Sequence, residues 1–292
     1  MTTIDGKATS LRIQDEITTA VEAIRVAGGK VPHLAAVLVG NDAASEVYVG
    51  HKIKACKRIG FDSTLIRLEE NVRQEQLLEE ITQLNADDDI DGFIVQLPLP
   101  QHLDALEVIE AIAPEKDVDG FHPINAGKLM LGLPCFAPAT PAGVMELIRR
   151  YDIPTKGKHV VVVGRSHIVG TPLSVMFSRP GVDATVTLCH SRTEDLASIT
   201  RQADILVAAV GRAGFITKDM VSKDAVVIDV GINSVADASK KSGRRLAGDV
   251  APEVAELASA MTPVPGGVGP MTIAALLTNA LQAAERKALD RS

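Results

Sequence analysis

The chain has 292 residues, of which 46% are apolar and 23% charged, a balance typical of folded globular proteins and too apolar for a disordered chain. At roughly 100 to 200 residues per domain, such a length accommodates two domains with full cores. Lys and Arg total 30 against 37 Asp and Glu, a net charge of −7 with no polybasic block, so neither nucleic acid nor an anionic membrane surface is an expected partner.

Cys56, Cys135 and Cys189 stand too far apart for a CxxC pair or a disulfide framework. The opening MTTIDGKATS lacks the apolar segment of a secretory signal, and no uncharged apolar stretch approaches the ~18 residues of a membrane span. The expectation is a cytoplasmic protein.

In chain order, Leu34 to Val39 reads as the first buried strand and Ala43 to Gly60 as a helix. At roughly 100° per residue with Tyr48 at the origin, Ile59 falls at about 20°, Lys52 at about 40°, Cys56 at about 80° and Val49 at about 100°. Lys52 therefore lies within the apolar stripe, whereas Lys54, Lys57 and Arg58 fall on the opposite side. Two readings fit such a lysine. It is a general base brought towards neutrality by burial, with Tyr48 one turn earlier to orient it, or it packs its stem on the core and extends its ammonium to water.

Strands follow at Thr64 to Leu68 and Phe93 to Leu97. Gln96 stands at the end of the second, stopped by Pro98 and Pro100, and parallel sheets bind ligands beyond the carboxyl ends of their strands. Pro114 to Phe121, PEKDVDGF, is a turn-rich loop with Asp117 and Asp119 two apart. No HExxH, EF-hand or Cys/His pattern supports a metal, and a polar heterocycle offering N–H donors is the better partner. Capping of the loop is the alternative for Asp117.

Leu133 to Pro141, LPCFAPATP, carries three prolines in nine residues and marks a domain boundary, so a second domain begins near Thr140. A helix is expected from Ala142 to Tyr151, then strands at Val160 to Val163, Thr185 to Leu188, Ile205 to Val210 and Val226 to Val230. Strands alternating with helical segments, several of them apolar without alternation, indicate parallel β in a doubly wound α/β fold. The KKSGRR run from Lys240 to Arg245 reads as a solvated basic loop, and Met271 to Ala288 as a long final helix.

HVVVVGRSHIVGT, from His159 to Thr171, places a buried strand before Gly164 and a helix start after Ile168. A strand, glycine turn and helix N-terminus form an anion site, although Ser166 replaces the second glycine of G-x-G-x-x-G. No carboxylate follows the next strand until Glu194, while Arg192 stands at its end. Arg192 and Arg165 can meet a ribose phosphate, which favours NADP over NAD; the alternative is that one or both are ordinary surface residues. Gly211 and Gly231 end later strands and permit close backbone approach, with Ile232 placed to cover a cofactor. TPVPGGVGPMT, from Thr262 to Thr272, is stiffer and less polar than a linker.

Together YVGHK at 48–52, VQLPLP at 95–100, PEKDVDGF at 114–121, GRSHIVGTP at 164–172, CHSRT at 189–193, DVGIN at 229–233, GDV at 248–250 and TPVPGGVGPMT at 262–272 resemble the bifunctional methylenetetrahydrofolate dehydrogenase/cyclohydrolase family. The resemblance spans nearly the whole chain. It implies NADP-linked oxidation of 5,10-methylenetetrahydrofolate to the 5,10-methenyl compound, then hydrolysis to 10-formyltetrahydrofolate. By analogy Lys52 is the acid/base residue, Gln96 tunes it, Tyr48 stacks beside the folate and Asp119 binds the pterin. Val95, Leu97, Pro265, Gly266 and Gly267 complete the folate site, and Gly164, Arg165, Ser166, Ser191, Arg192 and Ile232 hold NADP. The resemblance further implies a folate-binding domain of residues 1–139 joined by the last helix, 270–292, a Rossmann-like NADP domain of 140–269, and a homodimer. It implies no metal.

Tyr48 and Lys52 also spell the Y-x-x-x-K of short-chain dehydrogenases, but there the pair follows the glycine turn and here it precedes Gly164. The competing reading of another class is a catalytically silent NADP-binding regulatory module. Retention of Lys52, Gln96 and Asp119 weighs against it.

Overall fold

The structure is a computed structural model that describes residues 1–240 and 243–290. In chain order its elements are β1 (Thr2–Thr3), α1 (Gly6–Val26), β2 (His33–Val39), α2 (Ala43–Ile59), β3 (Asp62–Leu68), α3 (Gln74–Ala86), β4 (Gly92–Val95), α4 (Ala105–Ala111), α5 (Pro123–Leu131) and α6 (Ala139–Arg150). There follow β5 (His159–Val163), α7 (Gly170–Ser178), β6 (Thr185–Cys189), α8 (Leu196–Thr200), β7 (Ile205–Ala208), β8 (Val226–Asp229), β9 (Asn233–Ala236), β10 (Arg244–Ala247), β11 (Ala260–Met261) and α9 (Val268–Asp290). The chain divides into two compact units, one comprising Leu11–Ala139 with the chain from Ile273 onward, the other Met1–Ser10 with Thr140–Thr272.

The first unit is built on a parallel sheet of order β3-β2-β4. Its central strand, HLAAVLV, is buried from Leu34 to Val39, because helices cover both faces and no position alternates to water. On one face Leu77, Ile81 and Leu84 of α3, spaced three and four apart, pack with Ala35, Val37, Phe93 and Val95. Helix α2 is delimited by its ends: Asp42 accepts the Ser45 amide at the N-cap, and Gly60 closes the C-terminus at φ 82°. The last helix returns to this unit as expected. Asn279 Nδ2 donates to the carbonyls of Val118 and Ala137 at 2.8 and 3.0 Å, and Lys287 Nζ to that of Asp88 at 2.6 Å.

The second unit holds a fully parallel sheet of order β1-β11-β8-β7-β5-β6. Val160 to Val163 are buried at its centre, as the unbroken valine run requires. Its edge is extended by β1, which pairs Thr2 and Thr3 with Ala260 and Met261. Met1–Ser10 therefore group with this unit.

Several boundaries differ from the sequence expectation. Helix α6 begins at Ala139, taking Pro141 into its first turn, where a missing N–H costs nothing. Strand β7 stops at Ala208, because the amides of Val210, Gly211 and Arg212 donate to the Asp249 carboxylate rather than to a neighbouring strand. The run from Lys240 to Arg245 is not simply a loop. Lys241 and Ser242 lie outside the described residues, but Arg244 and Arg245 open β10, which pairs antiparallel with β9.

Candidate active site

The buried face of α2 comprises Ser45, Val49, Lys52, Ala55, Cys56 and Ile59. Lys52, only 8% exposed, is thus held within the stripe that the angular periodicity assigned to it. Its Nζ donates to Gln96 Oε1 at 3.1 Å, and Gln96 Nε2 donates to the Leu97 carbonyl at 2.6 Å. The second bond orients the first: with its N–H held by Leu97, the amide presents oxygen to the ammonium. Gln96 stands one residue beyond β4, and its own amide N–H continues the ladder to Val37 at 2.9 Å. Among the described residues Lys52 has no carboxylate within ion-pair distance. Tyr48, one turn before it, is 40% exposed. Beneath them burial pushes the Cys56 thiol up to about 12, which leaves it inert as a nucleophile at neutral pH.

The two aspartates of the loop at Pro114 to Phe121 separate cleanly. Asp117 is buried and accepts from the amides of Gly120, Phe121 and His122 and from Asn125 Nδ2, at 2.8 to 3.2 Å. It is the cap of the loop; burial raises its pKa, opposed by those same hydrogen bonds. Asp119 is half-buried, accepts no hydrogen bond among the described residues, and lines a small cavity with Val95, Leu97, Ile109, Ile112 and Phe121. The first unit therefore brings an unpaired carboxylate and the apolar side chains of Val95 and Leu97 to one hollow. Among the described residues, no group of three or more His, Cys, Asp or Glu could hold a metal.

In the second unit the turn after β5 depends on two glycines. Gly164 has φ 121°, and a Cβ there would lie 2.1 Å from the Ala209 carbonyl oxygen; a Cβ on Gly170 would lie 1.8 Å from that of Gly164. Only bare backbone fits this cradle at the start of α7. The Ser166 carbonyl accepts the Thr171 amide at 3.1 Å and its Oγ accepts that of Val169 at 3.2 Å. Among the described residues, no bond ties up the amides of Arg165, Ser166, His167 or Ile168.

Strand β6 lies beside β5, with Cys189 opposite Val163, so the turns following both strands open from one sheet edge. There the His190 amide donates to Thr193 Oγ1 at 2.9 Å and the Arg192 amide to His190 Nδ1 at 3.2 Å. This tight turn leaves Ser191 and Arg192 exposed, as are Arg165 and Ser166. Neither arginine has an acidic partner among the described residues, so the edge presents two unneutralised guanidiniums.

Pro265, Gly266 and Gly267 also belong to this unit. Gly266 has φ 107°, its carbonyl accepts the Lys7 amide at 2.8 Å, and a Cβ on Gly6 would sit 1.8 Å from the Gly267 oxygen. Ile232 is 40% exposed just beyond β8.

Sequence reasoning assigned no role to two carboxylates in its own motifs. Asp249 is fully buried and accepts from the amides of Val210 and Gly211 through Oδ2, at 2.6 and 2.9 Å, and from the Arg212 amide and Asn233 Nδ2 through Oδ1, at 2.8 and 2.9 Å. Asp229, 2% exposed, accepts from the amides of Gly231, Asp249 and Val250 at 2.9 to 3.0 Å. The usable signal was glycine: DVG and GDV each place one beside an aspartate. A Cβ on Gly231 would lie 2.2 Å from Asp249 Oδ1, and one on Gly248 would lie 1.8 Å from Asp229 Oδ2.

Comparison with known proteins covers nearly the whole chain. Residues 4–119 match the family model for the tetrahydrofolate dehydrogenase/cyclohydrolase catalytic domain, and residues 138–288 that for its NAD(P)-binding domain. A bifunctional protein FolD from Cytophaga hutchinsonii is 57% identical over 291 residues, spanning 98% of this chain and 100% of the relative. The crystal structure of the bifunctional methylenetetrahydrofolate dehydrogenase/cyclohydrolase FolD from Campylobacter jejuni superposes with a TM-score of 0.93 at 45% identity, covering 98% of this chain and 99% of the other. The Trypanosoma brucei dehydrogenase-cyclohydrolase, solved with NADP and an inhibitor, gives 0.94 at 40% identity, covering 99% and 98%.

Proposed function

The chain belongs to the tetrahydrofolate dehydrogenase/cyclohydrolase family, and on that premise we propose that it oxidises 5,10-methylenetetrahydrofolate with NADP and hydrolyses the resulting 5,10-methenyl cation to 10-formyltetrahydrofolate. The observation that carries this reading is the buried Lys52 whose only side-chain partner among the described residues is a neutral amide, that of Gln96. A carboxylate there would trap the ammonium, whereas an amide oxygen supports it without neutralising it and leaves the lysine free to exchange protons.

Residues 1–139 with the last helix, 270–292, supply folate binding and catalysis, and residues 140–269 supply cofactor binding. Asp119 accepts N–H donors of the pterin, Tyr48 lies along the ring, and Val95 and Leu97 line its site. The residues present also fit NADP. The cradle of Gly164 and Gly170, which no side chain can enter, suits the pyrophosphate with Arg165 and Ser166 beside it. Ser191 and Arg192 hold the ribose phosphate, a role a carboxylate could not share, and Ile232 covers the cofactor.

The hydride leaving the one-carbon bridge is accepted by the nicotinamide when NADP is bound, and this is the chemistry the cofactor supplies. The bridge carbon is then an electrophilic cation. Lys52 in its neutral form takes a proton from water as the oxygen bonds to that carbon. Passage of the hydroxyl proton to N5 with breaking of the carbon–N5 bond leaves the formyl group on N10 and releases one proton overall.

No helix among the described residues is long and apolar enough to cross a membrane. We place the enzyme in the cytoplasm as a homodimer, without nucleic acid as a partner. The test is a time course of purified protein with 5,10-methylenetetrahydrofolate and NADP or NAD, following reduced nicotinamide, methenyl and formyl products separately. Faster reduction with NADP and formyl product above the uncatalysed rate are expected. Binding of NADP without turnover of the folate would instead indicate a silent cofactor-binding module.

A further inference from the structure

Asp249 and Asp229 form a two-step brace at the carboxyl ends of the central strands of the second unit. Asp229, the last residue of β8, holds the backbone of Asp249 and Val250 through their amides at 2.9 and 3.0 Å. Its own amide is fixed by Thr262 Oγ1 at 2.8 Å. The Asp249 side chain in turn gathers three consecutive amides, Val210 to Arg212, and the side chain of Asn233. Neither carboxylate forms an ion pair among the described residues. Two buried carboxylates are therefore held by backbone amides and one side-chain amide, that of Asn233, with no counter-charge, a costly arrangement for one whose sole result is cohesion.

We infer that Asp249 is a positioning residue for the cofactor, its carboxylate setting the loops after β7 and β8 in the conformation that receives the dinucleotide. The inference rests on the proposed NADP-dependent activity. Those loops occupy the edge at which open parallel sheets bind ligands. Diverting Val210, Gly211 and Arg212 from the strand ladder to one carboxylate turns the first loop, at Gly211 φ 68°, out of the sheet. The second loop is held at both ends of its exposed residue. Gly231 lies against Asp249 Oδ1 and donates to Asp229, Asn233 donates to Asp249, and Ile232 between them faces solvent. Both carboxylate oxygens accept two bonds each, so an amide of the same shape cannot replace the group: its NH2 would oppose two donors.

The test compares Asp249→Asn with wild type by calorimetric NADP binding and by the ratio of methylenetetrahydrofolate oxidation to methenyl hydrolysis, which needs no hydride acceptor. With a charged acceptor lost, the NADP dissociation constant is expected to rise about tenfold or more and the ratio to fall by about as much. A folded variant whose NADP affinity stays within about twofold of wild type, or whose two activities fall in parallel, overturns the inference. Should Asp249→Asn not fold, Asn233→Ala decides, since it removes one of the four donors; it is expected to weaken NADP about threefold, and an unchanged affinity overturns the inference. Wild-type protein that neither binds NADP nor oxidises the folate overturns the activity itself and the brace with it. Normal wild-type turnover with unaltered variant affinity overturns the brace alone.

Discussion

Lys52 Nζ donates to Gln96 Oε1 at 3.1 Å, and the amide that receives it is oriented by its own bond to the Leu97 carbonyl at 2.6 Å. The pair joins the buried face of α2 to the end of β4, so the first unit's parallel sheet fixes where the lysine sits. A neutral amide acceptor places no counter-charge beside the amine, which suits a group that takes a proton from water.

Gln96→Glu should therefore impair hydrolysis through charge rather than shape. The added carboxylate favours the protonated lysine, so the limb along which the rate climbs as the lysine loses its proton should move to higher pH by about one unit or more. Hydrolysis of the methenyl compound followed from pH 6 to 10, about the range where such a shift is visible, checks this; an unmoved limb would show that Gln96 does not govern the lysine's proton.

Arg192→Ala should discriminate between cofactors. Loss of a charge-assisted contact with the ribose phosphate costs about 1.5 to 3 kcal/mol, or roughly tenfold to a hundredfold in affinity for NADP. NAD lacks that phosphate and should be affected far less. Dissociation constants for both cofactors, measured on wild type and variant, check this, and equal losses would remove Arg192 from the phosphate site.

The Asp229 carboxyl is pushed up from 3.8 to about 6, by burial first and by the neighbouring Asp249 carboxylate, against the amides of Val250, Asp249 and Gly231. A raised carboxyl binds its proton more tightly in the folded than in the unfolded chain. This group's contribution to stability is therefore greatest below 3.8 and falls by about 3 kcal/mol as the pH rises to about 6. Carboxyl NMR should show Asp229 titrating near 6, with the amide signals of Gly231 and Val250 moving at the same midpoint. A midpoint near 4, about that of a free aspartate, would contradict the burial account.

Much of this architecture was legible in the residues, for reasons that can be named. Helical periodicity placed Lys52 among Val49, Cys56 and Ile59, and these are buried together. The valine run at 160–163 marked a strand covered on both faces, and that is where β5 lies. The brace was not legible, because Asp249 captures amides 37 to 39 residues earlier and such a pairing leaves no local period. The same holds for β1, whose two threonines become a strand only by pairing with Ala260 and Met261. Strand β10 was hidden by its composition, since Arg244 and Arg245 are exposed as read and only their antiparallel pairing with Ala236 and Val235 makes the segment a strand.

The central claim is that Lys52 is the acid/base residue of the hydrolytic step, and Lys52→Met tests it most directly, since methionine keeps much of the stem's volume in the apolar stripe and removes only the amine. Hydrolysis of 5,10-methenyltetrahydrofolate by this variant should fall to the spontaneous rate while thermal unfolding and NADP affinity stay close to wild type. A folded variant that still hydrolyses the methenyl compound clearly above the spontaneous rate would contradict the account.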